Sequence, residues 1–406
     1  MNAAPLRSLT LREPERALRA IGASTELDLR EFTLTEMWAL TAIAVRARSD
    51  ERNPLTVVWQ PGSSAQRFAT AVGFEDVING KASTLAGEAS RTVRLCRVAD
   101  EDQIRPVSHQ IATLIAGDLG APTTNKTAFL TIDYVIIELL RNVLQHSDDS
   151  LGAIVGAQLN DKGSHSDHPV FQVAVADRGS GIRATLSRTH PEVVDDDVAL
   201  EQALWPYHSG AFAPGKAGGL ENAGLGLFYI SEMAKELGGR LLVASGDSAL
   251  LVDPRLQHRI ERLKVGFPGT LVAFEIPTDV PDDFDALFNK ISETARARSP
   301  RKLTKEWLRF EAPPSHSQRF MINAFVENNE EALRLAQDRV IPRLMKKEPV
   351  VLDFLNVRVI TQSFAHALLF EPVRYAWASQ TPIFISNAQP VVASALRHVE
   401  MYAQDR

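Results

Sequence analysis

Apolar residues recur along this chain in two rhythms, a two-residue alternation that suits strands and a three-to-four-residue spacing that suits helices. Up to about residue 105 the two alternate. "ELDLREF" and "LTVVW" read as strands, and "LTEMWALTAIAVRARS" and "SAQRFATAVGFEDVI" as helices, with Thr35 placed to cap the first helix. From about 106 to 280 the pattern gives a long helix around "VIIELLRNVLQHSDDS" and a strand "VFQVAVAD". A glycine-rich stretch near 215–226 then runs into a helix ending at Gly238 or Gly239, and "GTLVAFEIP" reads as a further strand. Residues 281–317, with "RARSPRKLTKEW" and "EAPPSHSQ", have the proline- and charge-rich texture of a linker holding a short helix. From 318 to 406 helix and strand alternate again, through "NNEEALRLAQDRVIPRLMKK", "PVVLDF", "SFAHALLFEPVRYAWAS" and "PIFISN". The pattern predicts an α/β protein with domains 1–105, 106–280 and 318–406.

Composition narrows the class. The 406 residues are 45% apolar and 23% charged, with a formal charge of -6, which argues against a general binder of nucleic acid. The single cysteine, Cys96 in "RTVRLCRV", excludes an internal disulfide framework and a multi-cysteine metal site, and fits a small strand hydrophobe in a reducing cytoplasm. The first twenty residues lack a signal-type apolar run, and no stretch approaches the ~20 apolar residues of a membrane span. A cytoplasmic protein is the expectation.

On a helical wheel each four-residue step advances about 40°, so Glu138, Asn142 and His146 form one polar stripe, joined by Arg141 and Gln145. Ile132, Ile136, Leu139, Leu140 and Val143 occupy the opposite side and suit packing against a sheet. Taken alone, such a stripe is most simply a solvated face.

Three further features lie downstream. "VFQVAVADRGSGI" leads a strand into Asp177, Gly179 and Gly181; a strand-end carboxylate can accept from an amino group while glycines admit a flat ring or backbone. In "GKAGGLENAGLGLFYISEMAKELGG", a flexible loop through Gly224 and Gly226 opens a helix whose N-terminus offers unpaired N–H donors to phosphate. Thr270 begins the strand "GTLVAFEIP", where its hydroxyl can support Asp177. Each is weak singly: a D-x-G-x-G is commonly a turn, and Thr270 a simple β-former.

In their order, Glu138/Asn142, Asp177/Gly179/Gly181, Gly224/Gly226 and Gly269/Thr270 resemble the GHKL ATPases, the superfamily that includes gyrase and histidine kinases. "ELLRNVLQH" is similar to its N-box, "DRGSG" and "AGLGL" to its two glycine boxes. The resemblance covers about 106–280 and implies a central α/β sandwich of the Bergerat type. It further implies ATP with Mg²⁺: Asn142 on the metal and phosphate, Asp177 on the adenine amine, the backbone through Gly224, Leu225, Gly226 and Leu227 on the phosphates. Glu138 becomes the candidate to orient or activate a nucleophile. The roughly 40 residues between Gly181 and Gly224 read as a lid, with Lys216 its candidate cation.

"VSHQIATL" resembles a histidine-kinase phosphoacceptor box, but His109 lies only 33 residues before Asn142, too few for a dimerisation hairpin. A conventional histidine kinase is therefore excluded. "VVLDFLNVRVITQSFAHALLF" resembles STAS-like domains, with Ser363 near the position of their regulatory serine; a hydroxyl there can also be a helix cap. Residues 1–105 also resemble a STAS-like domain, without the serine. Together the resemblances imply an ATP-dependent switch, a serine kinase or an ATPase, working on protein partners through STAS-like modules, with Ser363 a candidate phosphoacceptor and a homodimer plausible by kinship. The alternative is a non-enzymatic ATP-sensing scaffold.

Overall fold

The structure, a computed structural model, describes residues 7–22, 25–48, 55–81, 91–118, 124–161, 169–188, 190, 193–205, 226–253, 257–278, 284–298, 306–315, 317–322 and 328–403. The chain clusters into two compact units, Met1–Leu204 with Ile230–Asp282, and Trp205–Tyr229 with Asp283–Arg406. Each is mixed α/β.

The first unit is built on a five-stranded antiparallel sheet. Its order is Thr92–Val98, Ala153–Asn160, Val170–Ala176, Gln257–Pro277 and Arg240–Asp253. Strand Val170–Ala176 is buried at every position and Ala153–Asn160 at all but its last, which requires cover on both faces. On one face lies helix Met37–Ala47, in a common core with Ile154, Ala174, Ala176, Leu271 and Ala273. Gly156 admits this approach: a Cβ there would meet Met37 Sδ at 2.6 Å. Helix Ile104–Asp118 packs on strands Thr92–Val98 and Ala153–Asn160, helix Thr124–His146 on Ala153–Asn160 and Val170–Ala176, and the two helices pack on each other. Since side chains alternate along a strand, they take the face that Met37–Ala47 leaves.

No boundary between compact units falls near residue 105. Strand Thr92–Val98, which the sequence pattern groups with the first block, is the edge of the central sheet. The N-terminal strands form two parallel pairs, Ser8–Leu9 with Leu34–Thr35 and Glu26–Leu29 with Thr56–Trp59. The physical reason lies in helix Met37–Ala47, whose residues Met37 to Val45 are all buried: it is apolar around its whole circumference and needs the central sheet as cover. Thr35 does not cap it. The N-cap position is Glu36, without a side-chain cap bond, and the strands provide instead: Met37 N–H donates to Gln158 Oε1 (3.0 Å) and Trp38 N–H to Gln172 Oε1 (3.4 Å).

Arg240–Asp253 and Gln257–Pro277 form a long hairpin whose register shifts around Gly246, a left-handed residue with φ +57°. Asp196 Oδ2 accepts the Asp247 N–H there (2.8 Å), and Asp197 pairs with Arg262 (2.9 Å). These bonds tie helix Asp196–Ala203 to the hairpin; with helix Gly181–Leu186 it shares a small core of Leu186, Val193 and Ala199. The segment expected to be a lid therefore begins as two packed helices, while 206–225 lie outside the described residues.

The second unit holds a four-stranded parallel sheet, ordered Leu308–Arg309, Ile383–Ser386, Val350–Asp353, Gln318–Met321. Helices Asn329–Leu335, Ile341–Met345, Gln362–Ser379 and Pro390–Ala403 complete the alternation read from the sequence. Helix Phe284–Arg298, longer than the linker texture of 281–317 suggests, packs on Pro390–Ala403. Among the described residues no helix is long and apolar enough to cross a membrane.

Candidate functional site

The helix that carries the polar stripe is not solvated on that side. Ile132, Ile136, Leu139, Leu140 and Val143 are buried as the wheel requires, but Glu138 is 1% and Arg141 2% exposed, and Asn142 and Gln145 are half-buried. A solvated face would not exclude water from a carboxylate and a guanidinium. His146 closes the helix, and its side chain lies outside the described residues.

Immediately after this helix, Ser147 meets the first glycine box. Ser180 N–H donates to the Ser147 carbonyl (3.1 Å), and a Cβ on Gly179 would sit 2.1 Å from that same oxygen, so only glycine fits. Asp177 follows strand Val170–Ala176; its N–H donates to the Thr270 carbonyl (2.9 Å), and its Oδ1 accepts the Gly179 N–H (2.7 Å). Gly269, with φ +80°, lets strand Gln257–Pro277 close on the aspartate.

Ser245 completes the arrangement. Its Oγ accepts the Ile182 N–H (2.9 Å) and donates to the Gly269 carbonyl (2.9 Å), joining the glycine box to the Gly269–Thr270 step. Gly181 (φ +80°) has no room for a side chain, because a Cβ would lie 2.8 Å from that oxygen. Arg178, the second residue of "DRGSG", points away from Asp177 and pairs with Asp149 and the Arg48 carbonyl.

Electrostatics separate the two aspartates. Burial pushes the Asp177 carboxyl up to about 7, the Asp149 charge adds to this, and the backbone N–H groups of Gly179 and Thr270 work against it. At Asp149 partial burial also works upward, but the Arg178 guanidinium and the Leu151 N–H hold the carboxyl below the usual carboxylate range. Asp177 is thus a buried acceptor, 3% exposed, bonded by backbone donors and without a cationic partner among the described residues. Such a group suits an uncharged hydrogen-bond donor better than a cation.

The structure thus brings together Asp177, Gly179, Gly181, Thr270 and the end of helix Thr124–His146. Asn142 lies about 7 Å and Glu138 about 13 Å back along that helix from Ser147. Gly226 and Leu227 open helix Gly226–Glu236, which ends as expected with Gly238 left-handed (φ +66°). Lys216, Gly224 and Leu225 lie outside the described residues. Ser147, Ser245 and Asp149 escape sequence reasoning: serine bonds to backbone carry no spacing signal, though the acidic pair Asp148–Asp149 beside the helix end was available as a clue.

In the second unit, Thr361 and not Ser363 caps helix Gln362–Ser379, its hydroxyl accepting the Phe364 N–H (3.2 Å). Ser363 is 0% exposed. At the end of strand Val350–Asp353, Asp353 accepts from Asn387 Nδ2 (2.7 Å), the Leu355 N–H (3.0 Å) and Arg319. These donors outweigh its partial burial and hold its carboxyl below the ordinary range.

The family model described as a STAS-like domain of unknown function (DUF4325) matches residues 337–374. No curated protein and no solved structure matches the chain. The match spans helix Ile341–Met345, strand Val350–Asp353 and most of helix Gln362–Ser379, so the second unit contains a STAS-like segment.

Proposed function

We propose that the chain binds ATP as a GHKL-type module, with the adenine edge at Asp177 of the first unit, and uses nucleotide occupancy to control a protein partner engaged by its STAS-like segment. One observation carries this: Asp177, Gly179 and the Gly269–Thr270 step converge on the end of the helix bearing Glu138 and Asn142, although they are separated by up to about 130 residues of sequence. Asp177 would hold the adenine amine and Asn142 the Mg²⁺, and the resemblance assigns the phosphates to Lys216, Gly224, Leu225, Gly226 and Leu227. The metal would supply charge neutralisation at the phosphates. Glu138, buried on the same helix, is the residue for orienting a nucleophile.

The resemblance of residues 1–105 to a STAS-like module belongs to the same proposal, as a lobe sharing the core of the ATP-binding unit rather than an independent body. So does the homodimer that kinship implies.

A second reading, ATP sensing without transfer, is favoured by the burial of Ser363. A hydroxyl at 0% exposure can meet a γ-phosphate only after the helix start opens. Incubation of the full chain with γ-labelled ATP and Mg²⁺, followed by phosphopeptide mass spectrometry, separates the two. Phosphate on Ser363, lost in Glu138→Ala, supports a kinase. Released phosphate with no labelled peptide supports an ATPase, and bound but unaltered ATP supports the sensor. A chain that retains no ATP overturns the proposal.

A further inference from the structure

Three buried polar side chains of the second unit meet at the start of helix Gly226–Glu236, whose first turn, up to Tyr229, belongs to that unit. Tyr229 and His398 are 0% and Ser292 1% exposed. The Tyr229 hydroxyl lies 2.9 Å from Ser292 Oγ and 3.0 Å from His398 Nδ1, and His398 Nε2 lies 3.2 Å from the Ser292 carbonyl oxygen. The tyrosine and histidine rings meet edge to face, with centroids 5.9 Å apart.

The partners fix the direction of each bond. A carbonyl oxygen can only accept, so His398 Nε2 donates to it, and in the neutral ring Nδ1 is left as an acceptor. Tyr229 therefore donates to Nδ1, and the Ser292 hydroxyl donates to Tyr229. The chain of donors closes on itself, because Ser292 enters it at both ends, through its hydroxyl and its carbonyl. Ser292 comes from helix Phe284–Arg298 and His398 from helix Pro390–Ala403, which pack on each other.

We propose that Ser292 and His398 are positioning residues for the start of helix Gly226–Glu236: they fix Tyr229, and through it the Gly226–Leu227 step, so that phosphate affinity there depends on how helix Pro390–Ala403 is seated. The proposal rests on the ATP reading above, in which the resemblance assigns phosphate contacts to Gly226 and Leu227. Tyr229 stands one helical turn beyond Gly226, about 4.5 Å along the axis. Gly226 has no side chain with which to hold that turn, so the anchor falls to Tyr229.

Helix Pro390–Ala403 packs in turn on helix Gln362–Ser379, most of which lies in the STAS-like match. A partner that shifts the STAS-like segment therefore acts on the helix start through His398. Phosphate bound at the helix start acts back on the segment with the same coupling free energy.

Titration of the full chain with Mg²⁺ and ATP, or with adenosine, together with hydrogen–deuterium exchange, tests the proposal. His398→Phe, which keeps an aromatic ring but neither nitrogen, should weaken ATP binding by about tenfold, leave adenosine binding unchanged and raise exchange in peptides of 226–236. His398→Gln should restore both, because its amide can accept from Tyr229 and donate to the Ser292 carbonyl. An unchanged ATP affinity in His398→Phe overturns the proposal, as does an equal loss for ATP and adenosine, which would make the cluster purely structural. If His398→Phe does not fold, Tyr229→Phe, which removes only the hydroxyl, takes its place with the same outcomes. A wild type that binds ATP no more tightly than adenosine also overturns the proposal and leaves the adenine assignment standing. One that binds neither overturns the ATP reading itself, and equal exchange at 226–236 in wild type and His398→Phe then overturns the anchor as well.

Discussion

Gly269 lies against Asp177 so closely that a Cβ on the glycine would stand 2.3 Å from the aspartate carbonyl oxygen and 2.6 Å from its Oδ1. Both the left-handed backbone and the lack of space require glycine. Gly269→Ala should destabilise the first unit by about 2–4 kcal/mol, read by urea unfolding, and should abolish nucleotide binding. Wild-type stability in this variant would show that the contact is not tight.

Ser245 bonds the Ile182 N–H and the Gly269 carbonyl, so Ser245→Ala leaves one donor and one acceptor without that oxygen. The expected cost is about 1–3 kcal/mol of stability, with ATP affinity reduced because both loops of the site lose their common anchor. An unchanged affinity measured by titration calorimetry would assign Ser245 to stability alone.

Asp177 gives a pH dependence of defined sign. Its folded carboxyl is raised from 3.8 to about 7, so the folded state keeps a proton that the unfolded chain releases, and stability falls as pH rises through that window. Asp177→Asn removes this fall. Denaturant unfolding at about pH 8 should find the variant more stable than wild type by on the order of 1–3 kcal/mol, with the difference vanishing near about pH 4. A variant less stable than wild type at the higher pH would contradict the assigned shift.

The start of helix Gln362–Ser379 distinguishes two neighbouring hydroxyls. Thr361→Ala removes the cap and should cost about 1 kcal/mol. Ser363→Asp places a charge at a fully buried position and should cost more than about 3 kcal/mol, read as a loss of thermal stability. A benign Ser363→Asp would mean that this helix start opens readily, and would restore Ser363 as an accessible phosphoacceptor.

Much of this architecture is legible in the chain. The apolar side of helix Thr124–His146 is the one the wheel gives, and the strand-to-glycine transition at Asp177 falls where the texture changes. Non-local relations are not legible. The burial of Glu138 and Arg141 comes from tertiary cover, which a helical period cannot report. Strand Thr92–Val98 joins a sheet whose other strands begin more than 50 residues later, and Gln158 and Gln172 cap a helix over 100 residues away. Ser245–Ser248, "SGDS", has the composition of a turn, yet it continues strand Arg240–Asp253 as a bulge because Asp196 supplies the missing acceptor.

The central claim is that Asp177 reads the exocyclic amine of ATP, and calorimetric titration of the full chain with Mg²⁺ and either ATP or inosine triphosphate tests it most directly. The inosine ring carries a carbonyl in place of that amine. The account predicts saturable one-to-one ATP binding, inosine triphosphate weaker by about 10- to 100-fold, and loss of the preference in Asp177→Asn. Equal affinity of the wild type for the two nucleotides, or no binding of ATP, would contradict it.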